Sequence, residues 1–151
     1  MKLESKHLIP YLLYKLRLKE KNWNYIYLMV GITFSHIYAT EIGDDEIFDI
    51  DILEQNIKPI LHPLSDLTKE IEHNGERFTP IKLIQLFIDP NFPYSHDGEE
   101  SWEVFYQSAN DTWQIDKNCS YKVIEKLFEW HFDVFGLIDQ GLAIDINTLK
   151  I

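Results

Sequence analysis

The chain has 151 residues, an apolar content of 45%, a formal net charge of −11 and a single cysteine. This length and apolar content are typical of one folded domain with a substantial core, and they exclude intrinsic disorder as the default state. Cys119, as the only cysteine, excludes an intrachain disulfide and a cysteine-based zinc site, and it favours a reducing compartment.

The charge is unevenly distributed along the chain. Residues 1–22 contain six basic and two acidic residues, whereas the remainder contains 8 basic and 23 acidic ones. Because an acidic body repels phosphate, nucleic-acid binding is not expected, and the weak candidate for it is the basic set Lys15, Arg17, Lys19 and Lys21. The simpler interpretation is that these side chains are solvated tips on one face of a strand.

No export or membrane signal is evident. The apolar run at residues 8–14 is short, contains Pro10 and lacks a small-residue cleavage site. No window approaches the ~20 apolar residues that span a bilayer. We therefore expect a cytoplasmic protein without membrane contact.

The N-terminal third is predicted to form β-strands. YLLYKLRLK (11–19) alternates at its end, and NYIYLMVGITFSHIYATE (24–41) is rich in β-branched and aromatic residues, with Gly31 predicted to mark a bulge or bend. EIGDDEIFDIDILE (41–54) follows with apolar groups near alternate positions. Together with residues 57–61, these segments predict an antiparallel meander of four or five strands.

Turn and cap residues divide the middle of the chain. Residues 63–68 predict a short helical turn, and Asn74-Gly75 predicts a type I′ hairpin, for which a glycine-capped helix is the alternative. A helix is predicted to begin at Pro80. Residues 89–119 are interpreted as an insertion, in which 101–107 and 112–116 pair as a β-hairpin.

The strongest helical pattern covers residues 120–135, and residues 142–147 predict a last strand. On such a helix Glu125, Glu129 and Asp133 form a solvated acidic stripe, while His131 is a buried core histidine. Glu129, His131 and Asp133 do not form a metal site there, because residues two apart lie ~200° apart around the axis.

These elements predict an α+β fold in a single domain, residues 1–151. It consists of an N-terminal antiparallel β-meander packed by two main helices, with a β-hairpin insertion.

Two groups of residues are candidates for function. Large aromatic side chains dominate protein interfaces, so the candidate partner-binding residues are those of the insertion, Trp102, Phe105, Tyr106 and Trp113. The alternative is that these rings fold back onto the core. Asp49 and Asp51 share one side of a strand and are a weak alternative site for Mg²⁺ or Mn²⁺. No catalytic motif, cofactor or further metal site is predicted.

Two blocks carry a resemblance to a known family. ILHPLSDLTKEIEHNGERFTPI (60–81) and KLFEWHFDVFGLIDQGLAIDINTL (126–149) resemble the signature blocks of small, functionally uncharacterised phage and prophage proteins from gut Bacteroidetes. The blocks cover about a third of the chain, and the N-terminal region resembles the family only in pattern. The resemblance implies a phage accessory protein that acts in the bacterial host cytoplasm, and it implies no site residues.

The combined expectation is a non-enzymatic phage accessory protein that binds and inhibits a bacterial host protein. An acidic, aromatic-bearing surface suits this role and can imitate nucleic acid towards a basic groove. One alternative is a metal-dependent hydrolase or nuclease at Asp49 and Asp51. A second alternative is a small phage structural or assembly protein, and the sequence leaves the oligomeric state open.

Overall fold

The computed structural model describes residues 1–22, 24–88, 105–107, 113–115 and 119–149. The chain divides into two compact units, of which the first comprises Met1–His62 with Phe128–Ile151 and the second comprises Pro63–Leu127. The single domain over residues 1–151 stays a prediction. No helix in the described ranges is long and apolar enough to cross a membrane.

The helices and strands, in chain order, are α1 (Ser5–Leu8), β1 (Arg17–Glu20), β2 (Ile26–Ile32), β3 (His36–Glu41), β4 (Ile47–Asp51), β5 (Ile57–Leu61), β6 (Ile71–His73), β7 (Glu76–Phe78), α2 (Pro80–Ile88), β8 (Phe105–Gln107), β9 (Trp113–Ile115), α3 (Tyr121–Glu129) and β10 (Ile144–Asp145). Short 3-10 segments occur at Ile9–Tyr14, Ile52–Glu54, Leu64–Thr68 and Ile146–Thr148.

The first unit is built on a six-stranded sheet in the order β10-β5-β1-β2-β3-β4. Neighbouring strands run antiparallel, except that β10 lies parallel to β5. The strands β1 to β4 are consecutive in the chain and in the sheet. The predicted α+β class and N-terminal meander are therefore confirmed.

A β-bulge interrupts the pairing of β2 with β3. Met29 lies opposite Ala39, but Gly31 lies opposite Tyr38, so Val30 is the extra residue. A Cβ at Gly31 would lie 3.4 Å from the Tyr38 Cβ, so the two backbones approach closely at the bulge. The bulge predicted at Gly31 is confirmed.

The N-terminal segment is helical where a strand was predicted. α1 and the 3-10 segment Ile9–Tyr14 precede Lys15, whose φ of 52° turns the chain into β1. The prediction that the first strand begins near residue 11 is wrong. In this helical segment the Tyr11 side chain is fully buried and its hydroxyl donates to the Phe132 carbonyl, a tertiary contact that the local sequence pattern does not reveal.

The hydrophobic core of the first unit lies on one face of the sheet. Its buried members come from the N-terminal helical segment, the strands and the C-terminal part of the chain: Leu8, Tyr11, Leu18, Met29, Ile37 and Leu137. Phe128 of α3 packs against this cluster. On β2, β3 and β4 the opposite face carries half-buried and exposed side chains, as is usual for antiparallel sheets, whereas Ile60 of β5 is buried there.

The second unit contains the predicted turns. The 3-10 segment Leu64–Thr68 and the helix start at Pro80 lie where they were predicted. β6 and β7 pair around Asn74 and Gly75, whose φ values of 52° and 81° fit a type I′ turn, so the hairpin is confirmed over the helical alternative. β8 and β9 pair antiparallel, which confirms the hairpin within the insertion.

The helix predicted over residues 120–135 ends at Glu129, so its C-terminal part is wrong. His131 has a φ of 59° and its N–H bonds to the Phe128 carbonyl, which closes the helix. The next residues extend the ladder of β5, because His62 N–H donates to His131 O at 2.8 Å and Asp133 N–H donates to His62 O at 2.9 Å. Long-range backbone pairing therefore overrides the local helical period. The predicted last strand is confined to Ile144–Asp145.

Candidate protein-binding surface

The acidic part of the first unit lies at one edge of its sheet. β4 is the terminal strand in the sheet order, and residues 41–54, which contain it, carry seven acidic residues and no basic ones. An edge strand has backbone groups on one side that no neighbouring strand pairs, and charged side chains protect such an edge from pairing with other chains. The edge is thus both accessible and strongly negative.

Two exposed apolar side chains lie at one end of this edge. Phe34, in the turn between β2 and β3, has 89% of its surface exposed, and Leu53, just after β4, has 70%. The two turns are tied together, because Ile52 N–H donates to the Ser35 carbonyl at 2.8 Å. Phe34 and Leu53 therefore project from adjacent pieces of backbone.

A second apolar pair lies at the other end of the edge. Ile42 and Ile47, exposed by 55% and 61%, flank the turn that joins β3 to β4. Asp44 shapes this turn, because its carboxylate accepts the backbone N–H groups of Asp45 at 2.7 Å and Glu46 at 3.2 Å. We call the two apolar pairs and the acids between them the acidic docking surface: Phe34, Ile42, Asp44, Asp45, Glu46, Ile47, Asp49, Asp51, Leu53 and Glu54.

Asp49 and Asp51 belong to this surface and have local partners. The Asp49 carboxylate lies 3.9 Å from the His36 ring, and Asp51 accepts the backbone N–H of Leu53 at 2.8 Å, which caps the following 3-10 turn. Within the described ranges no group of three or more His, Cys, Asp or Glu side chains is placed to hold a metal ion. The metal site at these two aspartates stays a prediction.

The predicted aromatic site can be located only by its backbone. Trp102 lies outside the described residues. Phe105 and Tyr106 lie on β8 opposite Ile115 and Gln114, and Trp113 lies on β9 opposite Gln107. Because the side chains of Phe105, Tyr106 and Trp113 lie outside the description, partner binding by these residues stays a prediction.

The basic N-terminal residues do not all share one strand face. Lys15 precedes β1 with a left-handed backbone, and Lys21 follows the strand. Only Arg17 and Lys19 lie on β1, two residues apart and hence on the same face. Arg17 is half-buried, and burial lowers the pKa of its guanidinium.

His131 is a buried core histidine, as predicted. Its side chain is 6% exposed, and its Nε2 lies 2.6 Å from the Tyr14 carbonyl oxygen. Both the ring and the backbone of His131 thus join segments that are distant in the chain. This arrangement serves the fold of the first unit.

Asp133 is buried, so the prediction of a solvated stripe with Glu125 and Glu129 is wrong for this residue. Its carboxylate accepts the backbone N–H groups of Leu137 at 2.8 Å and Ile138 at 2.9 Å. Burial raises the pKa of Asp133, and these two hydrogen bonds lower it in part. Asp133 therefore stabilises the loop after α3. This role was not predicted, because the sequence pattern placed Asp133 within a helix that in fact ends at Glu129.

Tyr11 also contacts α3 and the segment that follows it. Its hydroxyl donates to the Phe132 carbonyl at 2.6 Å, and its ring packs edge-on against Phe128 with centroids 4.9 Å apart. Burial raises the pKa of the hydroxyl, which therefore stays protonated and able to donate. No buried side-chain nitrogen or oxygen in the described residues lacks a hydrogen-bond partner.

The sequence analysis singled out Asp49 and Asp51 of the docking surface but missed its apolar members. The signal for Phe34 and Leu53 was present, since each adjoins a turn, where strand alternation no longer buries side chains. No protein-family model, curated protein or solved structure matches the chain.

Proposed function

We propose that this protein is a non-enzymatic phage accessory factor that binds and inhibits a bacterial host protein through the acidic docking surface. The observation that carries the proposal is the pair of exposed apolar groups at the two ends of an acidic edge strand. The resemblance of residues 60–81 and 126–149 to phage and prophage proteins supports the host context.

Charge supports a basic partner. Asp49 and Asp51 alternate on β4, so their carboxylates follow each other at ~7 Å along the strand. Asp44, Asp45 and Glu46 extend the row at one end. Such a concentration of negative charge attracts the positive groove of a nucleic-acid-binding protein, increases the association rate and excludes acidic partners.

The apolar pairs supply the anchoring contacts. Buried apolar and aromatic anchors, surrounded by polar groups, provide most of the binding energy in protein interfaces. Phe34 with Leu53 and Ile42 with Ile47 lie roughly 15–20 Å apart along the edge. This separation suits an interface of ordinary size with an apolar contact at each end.

The test is capture of a host protein from bacterial lysate with the tagged chain, with the captured protein identified and remeasured in pure form. The Phe34→Ser/Leu53→Ser variant is expected to weaken binding at least about tenfold. The matched control is Leu13→Ser/Tyr121→Ser, which also removes two exposed apolar side chains but no member of the acidic docking surface.

Charge is tested separately with Asp45→Asn/Glu46→Gln/Asp49→Asn. Its control is Glu70→Gln/Glu76→Gln/Glu125→Gln, which changes the net charge equally at exposed acids outside the surface. Weaker binding and a smaller salt dependence are expected for the first variant only. Equal binding by both triple variants would refute the acidic docking surface.

A further inference from the structure

A second charged surface lies on the face of the same sheet that is turned away from the core. Leu18 of β1 is fully buried, so Arg17 and Lys19 on either side of it point to the opposite face. On β5, Lys58 lies between two buried residues, and it therefore points to this opposite face as well. Lys58 was not among the basic residues singled out from the sequence.

The sheet register brings these three cations together. Lys19 and Lys58 are direct cross-strand partners, which places their Cα atoms about 5 Å apart. Arg17 lies about 7 Å from Lys19 along β1. Because like charges directly opposite each other destabilise a strand pair, the free chain is less stable than it would be with an anion bound between them.

No residue in the described part of the chain neutralises this group. None of the three side chains forms an ion pair or a hydrogen bond with another described residue, although the chain contains 25 acidic residues. Arg17 is half-buried, so its charge is partly withdrawn from water, and none of the described carboxylates compensates for it. An external anion is the counter-charge that the arrangement favours.

Apolar side chains border the group on the side of β2. Arg17 is the cross-strand partner of Leu28, and Lys19 is the partner of Ile26. Directly opposite residues share a face of the sheet, and both apolar side chains are half-buried. The surface thus offers cationic contacts next to apolar ones.

We propose that Arg17, Lys19 and Lys58 form a site for an organic phosphate, the cationic site, with the organic body of the ligand lying on Ile26 and Leu28. The guanidinium fork matches two phosphate oxygens, and the ammonium groups neutralise the remaining charge. This site is separate from the acidic docking surface and does not depend on the proposed function.

The dimensions favour a single phosphoryl group over a nucleic-acid backbone. The three cations span about 5 by 7 Å, which is two strands by three residues. Asp49 and Asp51 point to the same face from the edge strand, because they are cross-strand partners of Tyr38 and His36, which alternate with buried Ile37. A longer polyanion that crossed this face would meet these carboxylates and be repelled.

Titration calorimetry at low ionic strength tests the site, with phenyl phosphate, inorganic phosphate and benzyl alcohol as probes. Phenyl phosphate is expected to bind most tightly, because it combines the anion with an apolar body. Arg17→Gln/Lys58→Gln is expected to weaken that binding at least about tenfold. Lys2→Gln/Lys82→Gln removes the same charge at two exposed lysines that are not members of the cationic site and should bind as the unaltered chain does.

Two trinucleotides, with and without a 5′-phosphate, separate the sources of the phosphoryl group. If only the trinucleotide with the 5′-phosphate binds, the site is assigned to nucleic-acid ends. If neither trinucleotide binds, the site is assigned to small phosphates. Equal binding of both trinucleotides, no binding of phenyl phosphate at millimolar concentration, or an equal loss in both double variants would overturn the proposal. If Arg17→Gln/Lys58→Gln fails to fold, Lys19→Gln alone is expected to weaken phenyl phosphate binding several-fold.

Discussion

Tyr11 illustrates how one side chain stabilises the C-terminal region of the first unit. Its buried hydroxyl donates to the Phe132 carbonyl, so Tyr11→Phe leaves that carbonyl without this donor while preserving the ring. We expect the free energy of unfolding to fall by about 1–3 kcal/mol, measured by urea denaturation. Tyr121→Phe removes a hydroxyl from a side chain that is 80% exposed and is expected to change stability by less than about 0.5 kcal/mol. Equal effects of the two substitutions would contradict the role of Tyr11.

Asp133 gives a pH dependence with a defined sign. Because burial raises its folded-state pKa above the ordinary value of 3.8, the folded chain binds this proton more tightly than the unfolded chain does. The stability gained from protonation is present below pH 3.8 and is lost as the pH rises through the folded-state pKa.

Comparison with Asp133→Asn isolates this effect, because the other titrating groups contribute equally to the pH dependence of both chains. Relative to the variant, the unaltered chain is expected to be more stable near pH 4 than near pH 7. Urea denaturation at both pH values provides the two free energies. A relative stability that increases with pH would show that the hydrogen bonds from Leu137 and Ile138 outweigh burial.

At the scale of elements, the β6–β7 hairpin depends on a turn with positive φ angles, which most residues other than glycine disfavour. Gly75 has a φ of 81° with no atom within 4 Å of an added Cβ, so Gly75→Val has space but is strained in its backbone. We expect a loss of about 1–3 kcal/mol in unfolding free energy. Asn74→Gly at φ 52° relieves strain and is expected to leave stability within about 0.5 kcal/mol. A tolerated valine at position 75 would argue against the type I′ turn.

At the scale of the whole molecule, net charge opposes folding. With a formal charge of −11, the folded chain confines mutually repelling carboxylates that the unfolded chain separates. Its described side-chain ion pairs each contain at least one exposed or half-exposed member and contribute little stability. Raising the NaCl concentration from 0.02 to ~0.3 M is therefore expected to increase the thermal midpoint, because the Debye length shortens. A midpoint that falls with salt would indicate that attractive pairs dominate.

The α+β class, the meander, the bulge at Gly31 and the hairpin at Asn74-Gly75 could be predicted because each depends on residues near in sequence. Alternation, a missing Cβ and positive φ values are local properties. The position of the acids on an edge could not be read in this way, because strand order depends on which strands pair, as in the return of β5 to β1. The exposure of Phe34 and Leu53 could have been predicted from the adjoining turns, but their closeness could not, because it depends on the hydrogen bond between Ile52 and Ser35.

The sequence by itself determined the acidic charge, the strands of the meander and the turns that join them. Only the tertiary structure decided where α3 ends, that Asp133 is buried, and that Lys58 joins Arg17 and Lys19. The physical reason is that these features depend on pairings between residues far apart in the chain. Residues 131–133 leave the helical conformation and form two backbone hydrogen bonds with His62. The periodicity of the side chains does not reveal a backbone partner that lies about 70 residues away in the chain.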